Sequence, residues 1–265
     1  MGQIKKILIT VKTYPLPSEA YLELVCTAGV LEDGSFIRLY PIDYRYKPYW
    51  EWYKKYQWIE VEVEKNEKDP RLESYRPLAG AKIRVLSEPL PTKSNWAERK
   101  KYVLAKGVQT MCDLEVSSKT ACSIGIIRPK EVTDLIVEEI ERDWKAKWKG
   151  LFKQQRLFGP EQKPLEKIPY KFSYVFTCEH PDCKGHQKMI EDWEVGALYR
   201  RMRDKYRSED TAVEKVKDKF FKQYCGPQYD THFFVGTVRR YGSWIIIGTF
   251  CPKKSPDERQ FEFEL

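Results

Sequence analysis

Over the first ninety residues, apolar positions come in short runs and alternations, not at helical spacing. Residues 57–65 show this best. Ile59, Val61 and Val63 fall on one face and Glu60, Glu62 and Glu64 on the other, the period-two pattern of a half-buried antiparallel strand. Residues 4–14, 24–31, 36–42 and 81–86 also read as strands, and Asp33-Gly34 between two apolar runs is a hairpin turn signal. Five short strands in so short a span predict a small β-barrel of the OB or SH3-like kind.

Past Pro89 and Pro91 the pattern changes. Asn95 with Glu98 predicts a capped helix running to about Gly107. Residues 123–127 and 132–137 look extended, split by Arg128-Pro129, and 144–158 read as a basic helix ended by Gly159-Pro160. A proline-punctuated linker leads to a strand at 171–177. Helices follow at 192–207 and from a Thr211/Glu214 capping box to Tyr224, and strands at 232–238 and 243–250 form a closing hairpin. The expected architecture is α+β: a barrel at 1–91, a helical and extended connector at 92–169, and an α+β domain at 170–265 with a zinc-stapled loop.

Composition narrows the class. The chain has 265 residues, 42% hydrophobic and 32% charged, which is too apolar for disorder and too polar for a membrane protein. No apolar run approaches the roughly 18–20 residues of a spanning helix. The apolar residues 7–9 are too short for a signal peptide, and Lys6 stands where a myristoylation signal needs Ser or Thr. A soluble, cytoplasmic chain with no membrane partner is expected. Seven cysteines, an odd number without a dense framework, suggest reduced thiols and a metal site.

The net charge of +8 is unevenly placed. Residues 1–90 hold 14 Lys and Arg against 13 Asp and Glu, so nearly all the excess lies beyond the barrel. The barrel instead carries aromatics. Between Tyr40 and Trp58, nine of nineteen positions are aromatic, with Arg45, Lys47, Lys54 and Lys55 interleaved. Aromatic faces stack on bases while cations follow phosphates, so this mixture points to single-stranded nucleic acid. Tyr44, Tyr46, Trp50, Trp52 and Tyr53 are the candidate stacking residues. Arg38, Arg45 and Lys54 are candidate phosphate contacts, with Lys145 and Lys149 from the basic helix and Arg200, Arg201 and Arg203 from a later cluster. Within the basic helix, residues 154–158 have the outline of a sliding-clamp-binding peptide, a Gln followed by a Leu-Phe pair.

The densest chemistry is at 178–186, where Cys178, His180, Cys183 and His186 fall within nine residues. Thiolate and imidazole are the donors tetrahedral zinc prefers. Closing four ligands in nine residues is sterically tight. Cys178, Cys183 and His186 are the favoured three, and the fourth comes from His180, Cys225 or Cys251. Nearby Glu191, Asp192 and Glu194 offer carboxylates that a metal-dependent nuclease would use with His180 and His186, although Asp192 also suits a helix N-cap. No nucleophile elbow, P-loop or dinucleotide fingerprint occurs, and a zinc deaminase motif is missing.

Cys26-Thr27-Ala28-Gly29-Val30 followed by residues 34–41, Gly-Ser-Phe-Ile-Arg-Leu-Tyr-Pro, resembles the opening of the dual-OB-domain modules of bacterial phage-defence neighbourhoods. The resemblance covers about the first 65 residues and departs from the pattern at Leu39-Tyr40. It implies an OB-type barrel that binds nucleic acid without cutting it, in an antiviral setting. The leading expectation is a non-enzymatic subunit binding DNA or RNA, with structural zinc and with protein subunits of a larger defence or repair assembly as further partners. A metal-dependent nuclease and a protein-interaction scaffold are the alternatives.

Overall fold

The alternation at 57–65 forms strand β5 (Trp58–Lys65) in the computed structural model, which describes residues 2–19, 22–117, 122–152, 165–238 and 242–254. Ile59, Val61 and Val63 are buried and Glu62 faces solvent. β5 runs antiparallel to β1 (Gln3–Lys12), with Ile7 opposite Ile59 and Lys5 opposite Val61. From β1 the sheet passes to β3 (Leu22–Val30) and β4 (Phe36–Ile42). β4 pairs in parallel with β6 (Ser74–Pro77), which returns antiparallel to β5. Five strands thus close into a barrel. The short β2 (Leu16–Ser18) and β7 (Arg84–Val85) attach to β3 and β5. Gly34, at φ +80°, makes the expected turn between β3 and β4, and Asp33 accepts from the Ser35 amide. Ile7, Ile9, Ile37, Leu39 and the apolar face of β5 fill the barrel, each such side chain contributing about 1.5–3 kcal/mol of burial.

The remaining elements are α1 (Lys93–Val103), α2 (Met111–Val116), β8 (Ile124–Ile127), β9 (Pro129–Glu139), α3 (Ala146–Phe152), β10 (Tyr170–Cys178), β11 (His186–Met189), α4 (Trp193–Tyr206), α5 (Glu209–Lys217), β12 (His232–Thr237) and β13 (Trp244–Phe250). β9, β10 and β11 form one three-stranded sheet, and β8, β12 and β13 form another. β8 and β9, separated by Arg128, therefore enter different sheets. Their shared core is built on Leu135, Phe172, Tyr174, Tyr199, Phe233 and Ile246. Asp192 caps α4 as its sequence suggests, accepting from the Glu194 amide. α5 starts earlier than the Thr211 box predicts, because Ser208 accepts from the Thr211 amide and takes the cap. Asn95 is not a cap either. Ser94, Asn95 and Trp96 all lie in the left-handed region, at φ 48°, 53° and 61°, and regular helix begins after them.

Buried polar contacts join barrel to C-terminal half. Arg38 is 4% exposed and donates to the Ser123 carbonyl at 3.0 Å. The expectation that it reaches phosphate is corrected: the residue that leads into β8 covers it. Arg71, paired with Asp69, donates to the Thr237 carbonyl at 2.9 Å. Lys55 lies 2.8 Å from Asp192. Among the described residues no helix is long and apolar enough to cross a membrane.

Candidate metal centre and cationic cleft

Cys112 stands in the first turn of α2, where the Thr110 hydroxyl accepts from the Asp113 amide and Met111 and Leu114 anchor the helix in the core. β10 ends at Cys178. The chain then turns back, with the Cys183 amide donating to the His180 carbonyl at 3.0 Å and Gly185 at φ +95°, and re-enters the sheet at His186 opposite Phe176. That return places Cys112, Cys178, Cys183 and His186 with ligand atoms all within 4.8 Å of one another. His186 Nε2 is 3.5, 3.6 and 3.4 Å from the sulfurs of Cys112, Cys178 and Cys183, and the Cys112 and Cys178 sulfurs are 3.6 Å apart. Metal bonds of about 2.3 Å to sulfur and about 2.0–2.1 Å to nitrogen, set tetrahedrally, need edges of about 3.8 and 3.5 Å. The four residues could hold a metal ion at that geometry.

The surroundings orient the donors. Glu115 Oε2 lies 3.4 Å from His186 Nδ1 and also pairs with Lys188, leaving Nε2 for the sulfurs. The Cys178 amide donates to Cys183 Sγ at 3.3 Å. Burial and bonding to the neighbouring thiols push Cys112 up to about 12. Burial also opposes ionisation of Cys178, but hydrogen bonds from its neighbours, His186 included, outweigh it and bring that thiol down to about 6. Three of the four expected ligands are assembled. His180 is not among them; its Nδ1 accepts from the Asp182 amide at 3.1 Å. The fourth comes from neither Cys225, whose thiol donates to the Phe220 carbonyl, nor Cys251, but from Cys112, 66 residues before Cys178. Nothing in the sequence around Cys112 marks it as a ligand.

The aromatic segment divides. Tyr44 and Tyr53 are barrel core: Tyr44 Oη donates to the Tyr53 carbonyl at 2.8 Å, and Tyr53 Oη meets Thr27 Oγ1 at 2.6 Å. Neither is available to stack on a base, which corrects the expectation for both. Tyr46 is half-buried, while Trp50 is 74% exposed and Trp52 lies against Tyr44 with its indole donating to the Lys47 carbonyl. Arg45 pairs with the buried Glu23 at 3.0 Å. Of the later cations, Arg203 is paired with Glu166 and Asp204, Arg200 lies over the Tyr14 ring, and Lys149 pairs with Asp143. Lys145, Lys54 and Arg201 are exposed. Residues 154–158, the clamp-like peptide, lie outside the described residues.

Lys54 and Arg201 instead belong to a cleft between the barrel and the C-terminal half. A cavity of about 440 Å³ is lined by Lys12, Lys54, Lys55 and Arg99 together with Tyr56, Trp96, Trp193 and Tyr224. Through Glu194 and Tyr224 it meets a second hollow bearing Arg201, Lys215 and Lys219. Through Trp96, Tyr224 and Cys251 it meets a third, bearing Lys219, Lys253 and Lys254. Nine Lys and Arg side chains line the three, against the two carboxylates Glu194 and Asp218. The aromatic walls are built from segments distant in sequence. The Arg99 guanidinium lies 4.0 Å from the Tyr56 ring centre and 4.6 Å from that of Trp96. Lys12 Nζ lies 4.1 Å from the Tyr44 centre and 4.4 Å from Trp193. Tyr56 and Trp96 both have positive φ, 64° and 61°, a conformation bulky residues rarely adopt. Asp192, one of the three carboxylates of the nuclease alternative, is buried and holds Lys55 and the Thr249 amide. Burial opposes the Lys55 charge, and Asp192 and Glu194 outweigh that and raise its pKa.

The family model described as Domain of unknown function (DUF8757) matches residues 107–264. The chain belongs to that family. A second model, Domain of unknown function (DUF8758), matches residues 3–105, so the two meet just past α1. Neither description speaks of phage defence or OB domains. The metal cluster falls wholly inside the DUF8757 span, and the cleft draws on both spans. No curated protein matches the chain. One solved structure, a murine DNA binding protein bound with ds DNA, aligns over 96% of this chain and 97% of its own, at 7% identity and a TM-score of 0.31. What that protein binds is a property of that protein.

Proposed function

We propose that this DUF8757 chain is a non-catalytic nucleic-acid-binding protein whose strand path is the cleft between barrel and C-terminal half. The observation that supports this is the lining of the three adjoining hollows, nine cations against two carboxylates with aromatic rings set among them. Cations alone would suit any polyanion. Aromatic faces beside them suit exposed bases, since base–ring stacking contributes about 1–3 kcal/mol per base. The barrel order, with the third long strand parallel to the fifth, supports an OB-type scaffold. The metal reading is zinc, because three thiolates and an imidazole at these spacings form a closed, soft tetrahedral set. With no open ligand position the ion would be structural, tying α2 to the β10–β11 turn.

A labelled single-stranded oligonucleotide titrated at several salt concentrations tests the reading. Affinity should fall as salt rises, and Lys219→Ala with Lys253→Ala should together reduce the slope of log affinity against log salt by about 1–2. Absence of binding at low salt would sink it.

A further inference from the structure

Inside the cleft, the 440 Å³ cavity differs from its neighbours in how its cations are held. Lys12 is largely withdrawn from water, clamped between Tyr44 and Trp193, yet its ammonium makes no hydrogen bond or ion pair with any described residue. Arg99 is 9% exposed. Its Nε donates to the Leu90 carbonyl at 2.7 Å, and its terminal nitrogens have no partner among the described residues. The Tyr56 hydroxyl, in the same lining, is buried without a hydrogen-bond partner. A buried cation and a buried hydroxyl each lose free energy unless an acceptor reaches them. The Tyr56 hydroxyl is shut off from water without an acceptor, and Lys12 and the Arg99 terminus reach the same cavity with no protein acceptor, so the three together point to an acceptor that arrives from outside.

Charge and size narrow that acceptor. Lys12, Lys54, Lys55 and Arg99 line the cavity, and the carboxylates that answer them are Glu194 and, behind Lys55, Asp192. Two positive charges remain over. A phosphate monoester carries nearly two negative charges at neutral pH and three acceptor oxygens, whereas an internal phosphodiester carries one. The volume lies in the range of small-ligand sites, about 300–1,000 Å³, and the indoles of Trp96 and Trp193 complete the lining with flat apolar surface. A bare anion would leave that surface uncovered.

We propose that this cavity binds a nucleoside monophosphate unit, its phosphate monoester on Lys12, Arg99 and Tyr56 and its base against the tryptophan walls. The unit is either a free mononucleotide or the phosphorylated end of a strand; the second source rests on the cleft being the strand path.

Calorimetric titration of the full chain with AMP, adenosine, and a short oligothymidylate with and without a 5′-phosphate tests this. AMP should bind at least about tenfold tighter than adenosine, as charge-assisted hydrogen bonds require. If the source is a strand end, the phosphorylated oligonucleotide should also exceed its hydroxyl twin. Lys12→Met and, independently, Arg99→Gln should abolish the preference, and Lys54→Ala, at an exposed position, should weaken it without disturbing the fold. Oligonucleotide binding with no response to the phosphate, and no AMP binding, would overturn the pocket while leaving the cleft reading intact. AMP binding with neither oligonucleotide bound would keep the pocket and overturn the cleft. Equal affinity for AMP and adenosine would overturn the pocket outright.

Discussion

The metal cluster and the aromatic segment at 40–58 use special side chains in opposite ways. The cluster draws four residues from α2, β10, β11 and the turn between the two strands to one point, with all four ligand atoms within 4.8 Å of one another. The aromatic segment spreads its rings outward from one stretch of chain: Tyr44 and Tyr53 into the barrel, Tyr56 into the cleft wall, Trp50 into solvent. A soft metal accepts few donor types, so a cysteine and histidine cluster has one competing reading at most. An aromatic ring serves as well in a core as on a surface, so density of rings states little about where any one goes. Convergence, not richness, separates a site from a composition.

That contrast breaks most visibly at Cys112. On the zinc reading, Cys112→Ser should empty the metal centre and remove more than about 5 kcal/mol of stability, since binding a structural ion is coupled to folding. His180→Ala should retain full metal content and stability within about 0.5 kcal/mol. Elemental analysis alongside chemical denaturation checks both. If His180→Ala lost the metal and Cys112→Ser kept it, the ligand set derived from geometry would be wrong.

The aromatic segment answers to a paired measurement. Tyr53 is fully buried with its hydroxyl on Thr27, so Tyr53→Ala should cost about 3–5 kcal/mol. Trp50→Ala, three residues away and exposed, should change stability by less than about 0.5 kcal/mol. Similar costs for the two would erase the division between core and surface rings.

Much of this was legible in sequence because it is local. The β5 alternation, the Asp33-Gly34 turn, the Asp192 cap and three ligands within nine residues all sit within one or two turns of chain, where periodicity and spacing operate. What was not legible is set by which elements meet. Cys112 joins the cluster only because α2 packs beside the β10–β11 turn, and Arg38 is covered only because residue 123 crosses it. The cleft is the strongest case. Lys12, Tyr56, Arg99, Trp193 and Tyr224 come from five separate stretches, and none lies in the clusters that charge and aromatic density pick out, apart from Tyr56. Positive φ at Tyr56 and Trp96 left no trace in composition, because neither is a glycine.

Lys12 sharpens the comparison, since it rests on Tyr44 of the aromatic segment yet faces the cleft. Burial, reinforced by Lys55, pushes it down to about 8 from 10.5. Between those values the unfolded chain binds more protons than the folded one, so stability rises with pH across that window. Below it the full cost of burying the charge is present. Lys12→Met should therefore stabilise the chain at pH 7 by on the order of 2 kcal/mol, with the gain gone above about pH 10.5. Thermal melts at pH 7 and at pH 10.5 read this directly, and an equal gain at both would show that packing, not charge, sets it.

The smallest effect separates cations that share a wall with aromatic rings from cations that do not. Lys149 lies on the short α3, which buries none of its residues, and is paired with Asp143. Lys219 lies over the Tyr224 ring, where two of the hollows meet. Both carry one charge, so a nucleic acid attracted only by net charge would respond to losing either. One that follows the cleft would respond to Lys219 alone. Lys149→Ala should change oligonucleotide affinity by less than about twofold and leave the salt slope unaltered, while Lys219→Ala should lower the slope by about 0.7 for a single strand. Equal slopes for the two variants would mean that the field of the whole C-terminal half, not the cleft, holds the strand.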